Sequence, residues 1–76
     1  MFKAIILNPN GAVFEGLVKS IFMPGSEGEF EVMDFHKPMI SLLKEGEIII
    51  DWQKSLKISK GVMMVKDNQL IAMIEE

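Results

Sequence analysis

The stretch EIIIDWQKSLKIS, residues 47–59, decides the fold. Residues 55–59 alternate strictly between polar and apolar side chains, and residues 47–52 alternate almost as regularly. A period of two is typical of a β-strand with one buried face, whereas an amphipathic helix repeats about every 3.6 residues. The stretch therefore predicts two short strands.

The same pattern extends to both ends of the chain, where turn-forming residues separate short apolar runs. Ten isoleucines and five valines supply the β-branched side chains that strands favour. Nine short strands in 76 residues are typical of a sandwich or a barrel, so we expect one all-β domain over residues 1–76. The predicted strands are 2–7, 12–15, 17–23, 30–33, 40–43, 47–52, 56–59, 62–66 and 70–74.

Two segments differ from this simple pattern. Gly16 interrupts an extended stretch, and the side-chain phase shifts across it, which indicates a β-bulge or a corner at which the chain changes sheets. Residues 24–38 are the richest in loop residues and contain the single histidine, so we expect function to be concentrated there.

Composition excludes several functional classes. The chain has no cysteine, so it has neither a disulfide framework nor a thiolate metal site. Eight lysines against eleven acidic residues give a net charge of −3, and arginine is absent, which argues against a nucleic-acid partner. No apolar run is long enough to cross a bilayer, so we expect no direct membrane insertion.

The supply of catalytic side chains is small: one histidine, five serines, and no threonine or tyrosine. His36 lies close to Asp34, but one imidazole beside carboxylates at this spacing favours a loop contact over a metal or acid–base site. Residues 24–28 are rich in glycine but lack the lysine and the following helix of a phosphate-binding loop. We therefore expect no catalytic residues, no metal and no cofactor.

Lys66 supports an alternative function. It stands between two predicted strands and before Asp67-Asn68, and it resembles the modified lysine of biotinyl or lipoyl carrier domains of similar size. Such a domain, modified on Lys66, is the alternative to a binding role.

Two predicted strands carry more apolar side chains than a thin molecule can bury. Residues 62–65 and 70–74 are apolar on both faces, whereas each sheet of a sandwich buries only one face. Either neighbouring loops of the chain or a partner subunit would cover the second face. We favour a partner subunit and expect Ile71 and Met73 to belong to that face.

Five motifs in order resemble the N-terminal β-sandwich of the epsilon subunit of bacterial rotary (F-type) ATP synthases. The resemblance covers nearly the whole chain and implies a flattened two-sheet sandwich of about eight to ten strands. The motifs are Gly11-x-x-Phe14-Glu15-Gly16, Pro24-Gly25-Ser26-Glu27-Gly28-Glu29-Phe30, His36-x-Pro38, Leu43-x-x-Gly46 and Ser59-x-Gly61.

The resemblance also implies a role and partners. The chain would be a non-catalytic part of the rotor, which couples rotation of the membrane-embedded c-ring to the gamma shaft. Ser26, Glu27 and Glu29 would face the c-ring, with Glu29 as the best candidate for a contact. Asn8 and the segment from His36 to Pro38 would face gamma, together with Ile71 and Met73.

Members of that family commonly carry a C-terminal helical hairpin, and this sequence stops where the hairpin would start. We therefore expect the sandwich alone, without a nucleotide site, at the cytoplasmic face of a bacterial inner membrane as a peripheral part of the complex. Residues 31–38 lack two glycines and a proline that the family usually has, so we expect a reshaped loop there.

Overall fold

A computed structural model describes all 76 residues and confirms the all-β prediction. Nine strands are present, and each of the nine predicted strands has a counterpart. They are β1 (Phe2–Asn8), β2 (Gly11–Val18), β3 (Ser20–Met23), β4 (Phe30–Met33), β5 (Met39–Leu43), β6 (Gly46–Ile50), β7 (Lys54–Ile58), β8 (Lys60–Lys66) and β9 (Gln69–Glu75). No helix suited in length and hydrophobicity to spanning a membrane is found.

The strands form two sheets that face each other. The five-stranded sheet has the order β2-β1-β9-β8-β5, and the four-stranded sheet has the order β4-β3-β6-β7. All neighbouring strands are antiparallel except β1 and β9, which run parallel and bring the two ends of the chain together. This is the two-sheet sandwich that the family resemblance implied, whereas the strand pattern alone left a sandwich or a barrel open.

The core lies between the sheets and follows the alternation of each strand. In β1, for example, Phe2, Ala4 and Ile6 are buried. The alternate residues Ile5 and Leu7 point to the opposite face and are half-buried. The same inward alternation in the other strands completes one cluster of sixteen buried apolar residues.

Tight turns join several consecutive strands. Asp67 and Asn68 both have positive φ values, 55° and 59°, in the two-residue turn between β8 and β9. Such left-handed pairs match the twist of a hairpin, and Asp and Asn tolerate this conformation better than most residues.

The structure corrects the prediction for Gly16. This residue lies inside β2 and pairs regularly with Ala4. The register shifts between Ile6 and Leu7 of β1, where Val13 of β2 is the extra, unpaired residue. The chain changes sheets at Lys19, between β2 and β3. A glycine in a strand pattern indicates a possible bulge, but the position of the corner depends on side chains that lie far away in sequence, here Asp51.

Asp51 and Trp52 also differ from the prediction, which extended the sixth strand to Trp52. Strand β6 ends at Ile50, and both residues adopt positive φ, 52° and 57°, in the turn that leads to β7. The Asp51 side chain accepts hydrogen bonds from the backbone N–H groups of Lys19 and Ser20, at 2.7 and 3.0 Å, and so fixes the corner.

Candidate functional site

The outer face of the five-stranded sheet is apolar across four adjacent strands. Strand register places eight side chains there in two transverse rows of four, because paired residues point to the same side of a sheet. We call this set the apolar grid. Its first row is Leu7, Met73, Val62 and Leu42, and its second row is Ile5, Ile71, Met64 and Ile40.

No element of the chain covers the grid. Met73 is 58% exposed and Met64 is 40% exposed, and Ile40 and Leu42 on β5 are also exposed. The inward residues of the same strands, such as Met63 and Ala72, are fully buried. Strands β8 and β9 are therefore apolar on both faces, with one face in the core and the other open to solvent.

A cavity of about 670 Å³ lies at one end of the grid. The four side chains of the first row contribute to its wall, and Asn8, Ser26, Lys60 and Glu75 stand around them. The ammonium group of Lys60 lies 3.9 Å from a carboxylate oxygen of Glu75. The cavity thus combines an apolar floor with a few polar groups, which is the usual composition of a binding site.

The loop of residues 24–29 borders this cavity and is held by backbone contacts. The N–H group of Ser26 donates to the carbonyl of Leu42 at 2.9 Å, and the N–H group of Lys44 donates to the carbonyl of Pro24 at 2.9 Å. Within the loop, the N–H group of Gly28 donates to the carbonyl of Gly25 at 3.1 Å. These bonds attach the loop to the edge of β5.

The predicted binding residues fall into two groups. Asn8, Ser26 and Met73 come together at the cavity, and Ile71 lies in the second row of the grid. Glu27 and Glu29 are exposed on the loop that borders the cavity. These six residues are therefore close to one end of the five-stranded sheet or on its outer face.

His36 and Pro38 lie at the other end of the sandwich. Strand β1 separates the two ends by about 20 Å, at about 3.4 Å per residue. The His36 ring has Nδ1 2.8 Å from the carbonyl oxygen of Lys37, and its backbone N–H donates to the carbonyl of Met33. No three His, Asp or Glu side chains are grouped closely enough to hold a metal ion.

The chain terminus and one hairpin hold the segment that leads to His36. The N-terminal amine lies 2.6 Å from a carboxylate oxygen of Asp34. The Asn68 side chain accepts a hydrogen bond from the backbone N–H of Phe35 at 2.8 Å and donates one to the carbonyl of Met1 at 3.3 Å. This segment is therefore anchored to the β8–β9 turn.

Sequence reasoning identified only part of the grid. Ile71 and Met73 were expected on the open face, but Leu7, Ile40 and Leu42 were not, although residues 4–7 and 39–43 also carry apolar side chains in both phases. The missing information was strand register, which places Ile40 beside Met64 and Leu42 beside Val62.

A second group, on the four-stranded sheet, was also missed. The rings of Phe22 and Trp52 lie 5.6 Å apart, and the indole N–H of Trp52 donates to a carboxylate oxygen of Glu31 at 2.8 Å. Phe22 and Glu31 lie in consecutive predicted strands, and in the structure these two strands form an antiparallel pair in which the two residues are directly opposite. The available signal was therefore the possibility of pairing these two neighbouring strands.

The sandwich and its open grid define a class of protein: a small two-sheet all-β domain with one exposed apolar sheet face. Its sequence places it more narrowly. The family described as "ATP synthase, Delta/Epsilon chain, beta-sandwich domain" matches residues 1–76, and this chain belongs to that family.

Curated relatives agree with this assignment. The chain is 42% identical over 77 residues to the ATP synthase epsilon chain of a Nitratiruptor species, covering 96% of this chain and 60% of the relative. It is 38% identical over 77 residues to the ATP synthase epsilon chain of Sulfurimonas denitrificans, covering 96% and 59%. This chain thus spans about 60% of the length of these relatives.

Solved structures show the same fold. A chain in the central stalk and c-ring structure of the Tetrahymena thermophila mitochondrial ATP synthase matches with a TM-score of 0.83 and 14% identity, covering 97% of this chain and 63% of that one. A chain of the Euglena gracilis mitochondrial ATP synthase, in a structure that contains OSCP, F1 and the c-ring, matches with a TM-score of 0.81 and 21% identity, covering 100% and 52%.

The comparisons give no support to the carrier alternative. Lys66 is the last residue of β8 and lies opposite Gln69, at the base of the turn that Asp67 and Asn68 form. Lys66 therefore ends a strand immediately before a turn, which is an ordinary structural position for a lysine.

Proposed function

We propose that this chain is the β-sandwich domain of an epsilon-type central-stalk subunit, which couples rotation of the c-ring to the gamma shaft in an ion-translocating ATP synthase. Its family membership supports the type of complex, and the apolar grid supports a subunit contact. The domain would be non-catalytic. It would act as a peripheral part of the complex at the cytoplasmic face of a bacterial inner membrane.

The grid would be the surface that docks on gamma. Ile71 and Met73 lie within it, Asn8 lies beyond one end, and Pro38 lies beyond the other. A single partner that covered the face from end to end would therefore reach Asn8 and Pro38 as well as Ile71 and Met73. Burial of apolar side chains would supply most of the affinity, at about 25 cal/mol per Å² removed from water.

The loop of residues 24–29 would face the c-ring. Glu27 and Glu29 are exposed there and have no salt-bridge partner within the chain, so their carboxylates are available to basic or polar groups of a neighbour. Contacts of this kind determine register and association rate more than affinity. The hydrogen bonds from Ser26 and Lys44 would transmit force from this loop to β5.

Stiffness is the physical property that this role requires. Two hydrogen-bonded sheets around one closed core resist shear, because interiors are packed as densely as organic crystals. The parallel pairing of β1 with β9 joins the chain ends within the same sheet. A torque applied at the loop would therefore move the whole domain and the grid with it.

A charge placed in the grid tests the proposal. We expect Met73→Asp to weaken binding to a gamma-type subunit at least about tenfold, or about 1.4 kcal/mol, because the carboxylate would lose its water in the interface. Its free energy of unfolding should change by less than about 1 kcal/mol, because the side chain is exposed in the free domain. Calorimetric titration and urea unfolding measure the two quantities.

Met33→Asp is the matched control. Met33 is 56% exposed, almost as much as Met73, but lies on the four-stranded sheet. The proposal predicts that this variant binds gamma like the unaltered chain. Unchanged binding of the Met73 variant, or equal loss of binding in both variants, would show that the grid is not the docking surface.

A further inference from the structure

The seven methionines are divided sharply between the core and the surface. Met23 and Met63 are 0% and 1% exposed, and Met39 is half-buried. Met64 and Met73 are exposed on the apolar grid, and Met33 is exposed on the opposite sheet. Met1, at the chain terminus, is also exposed. The fold therefore protects some thioethers from solutes and presents others.

The two grid methionines lie near the centre of their face. Met73 pairs with Val62 and Met64 pairs with Ile71, so the two sulfur-bearing side chains are diagonal neighbours on the adjacent strands β9 and β8. Met73 lines the cavity of about 670 Å³. Met64 lines a second depression, of about 150 Å³, on the other side of the grid.

Hydrogen peroxide converts an exposed thioether into a sulfoxide. The sulfur lone pair attacks one peroxide oxygen, the O–O bond breaks, and that oxygen stays on sulfur while the other leaves as water. The sulfur is oxidised by two electrons and the peroxide is reduced by two. An apolar side chain thereby becomes a polar one with a strong hydrogen-bond acceptor.

A sulfoxide would be costly in this setting once the face is covered. The grid side chains are all aliphatic or thioether groups and carry no hydrogen-bond donor; the donors of Asn8, Ser26 and Lys60 stand at its margin, around the cavity. A buried acceptor without a donor destabilises the interface that contains it. Oxidation at either position would therefore weaken binding. The core methionines, which contribute to the stability of the fold, are buried and so are protected from the oxidant.

We propose that Met73 and Met64 are oxidation sites through which hydrogen peroxide disables the docking face of the unassembled domain while the fold stays intact. A methionine sulfoxide reductase with a thiol as electron donor would reverse the change, since the thiol returns two electrons to the sulfur and the oxygen leaves as water. The effect on binding rests on the proposed function, but the selectivity of oxidation does not. Within the assembled complex, the partner would cover both residues and protect them.

The first experiment measures the oxidation rates. The folded chain is treated with hydrogen peroxide, and peptide mass spectrometry follows each methionine with time. We expect Met73 and Met64 to react at least about tenfold faster than Met23 and Met63, and the difference to vanish in concentrated urea. Rates in the folded chain that are equal for grid and core methionines would overturn the proposal.

The second experiment measures binding of a gamma-type subunit before and after oxidation. We expect peroxide to lower the affinity of the unaltered chain at least about tenfold and methionine sulfoxide reductases to restore it. The double variant Met64→Leu with Met73→Leu should bind normally and become insensitive to peroxide. Met33→Leu, the control, should remain sensitive.

The outcomes separate this inference from the proposed function. If the unoxidised chain does not bind gamma, the proposed function fails, and the rate measurement still decides whether the grid methionines are selective oxidation sites. If the chain binds gamma but the double leucine variant loses affinity on oxidation as the unaltered chain does, the inference about Met64 and Met73 is wrong and the docking surface stands.

Discussion

Asp51 shows how one residue can determine where the chain changes sheets. Its carboxylate oxygen accepts hydrogen bonds from two consecutive backbone N–H groups, those of Lys19 and Ser20, and its own N–H donates to the carbonyl of Ser20 at 2.9 Å. Ser20 is buried, so its N–H group has little access to water as an alternative partner. The corner between β2 and β3 therefore depends on a side chain about thirty residues away in sequence.

Replacement of Asp51 should destabilise the domain measurably. We expect Asp51→Ala to lower the free energy of unfolding by about 1–3 kcal/mol, because two hydrogen bonds to a carboxylate are lost and alanine is strained at a φ of 52°. Urea unfolding followed by circular dichroism gives the value.

Asp51→Asn is the conservative control, because asparagine keeps one acceptor oxygen and tolerates a positive φ. It should lose less stability than the alanine variant. Equal stability of the alanine variant and the unaltered chain would show that the corner does not depend on this carboxylate.

At the scale of elements, Gly25 in the loop of residues 24–29 and Gly16 in strand β2 have different steric surroundings. A Cβ atom at Gly25 would lie 2.5 Å from the carbonyl oxygen of Gly28 and 2.7 Å from the ring of Phe30, both closer than real contacts allow. At Gly16 the nearest atom would be the ring of Phe14 at 3.7 Å, an ordinary distance. Of these two glycines, Gly25 alone is required by close packing.

Alanine at these two positions should have opposite consequences. Gly25→Ala should lower the free energy of unfolding by about 1–3 kcal/mol, because the backbone at Gly28 and the ring of Phe30 must move away from the added Cβ. Gly16→Ala should be neutral or stabilising by up to about 1 kcal/mol, since alanine restricts the unfolded chain more than glycine does. Thermal unfolding of both variants tests this, and a strong loss at Gly16 would indicate a bulge that the structure does not contain.

At the scale of the whole molecule, the parallel pair of β1 and β9 governs both shape and folding. Lys3 pairs with Gln69, so the strands that form the middle of the five-stranded sheet come from opposite ends of the chain. Closing so long a loop costs entropy before any contact across it is gained. The same pairing creates half of the apolar grid, because it places Ile5 beside Ile71 and Leu7 beside Met73.

Folding should accordingly be slow for a domain of this size. We expect refolding in milliseconds to seconds, as in other all-β domains with many non-local contacts, and not in microseconds as in small helical bundles. Stopped-flow fluorescence of Trp52, the single tryptophan, can follow the reaction. Complete refolding within microseconds would show that the β1–β9 pair is not part of the rate-limiting structure.

The sequence by itself determined the local features of this protein. Period-two alternation and turn residues were enough to predict eight or nine short strands and the all-β class, because each of these signals is contained within a few neighbouring residues. The apolar surplus of β8 and β9 was also visible, since it requires only that both phases of one strand be apolar.

The tertiary structure alone decided how these strands are combined. Strand order, register and the corner at Lys19 arise from contacts between residues far apart in sequence, and no local pattern encodes them. Register aligned Ile40 and Leu42 with the apolar surplus to form the grid, and the fold placed Asn8 and His36 at opposite ends. The physical reason is that a residue's position along its own strand determines the face of the sheet to which its side chain points. Which side chains lie beside it on that face depends on how the strands pair across the sheet.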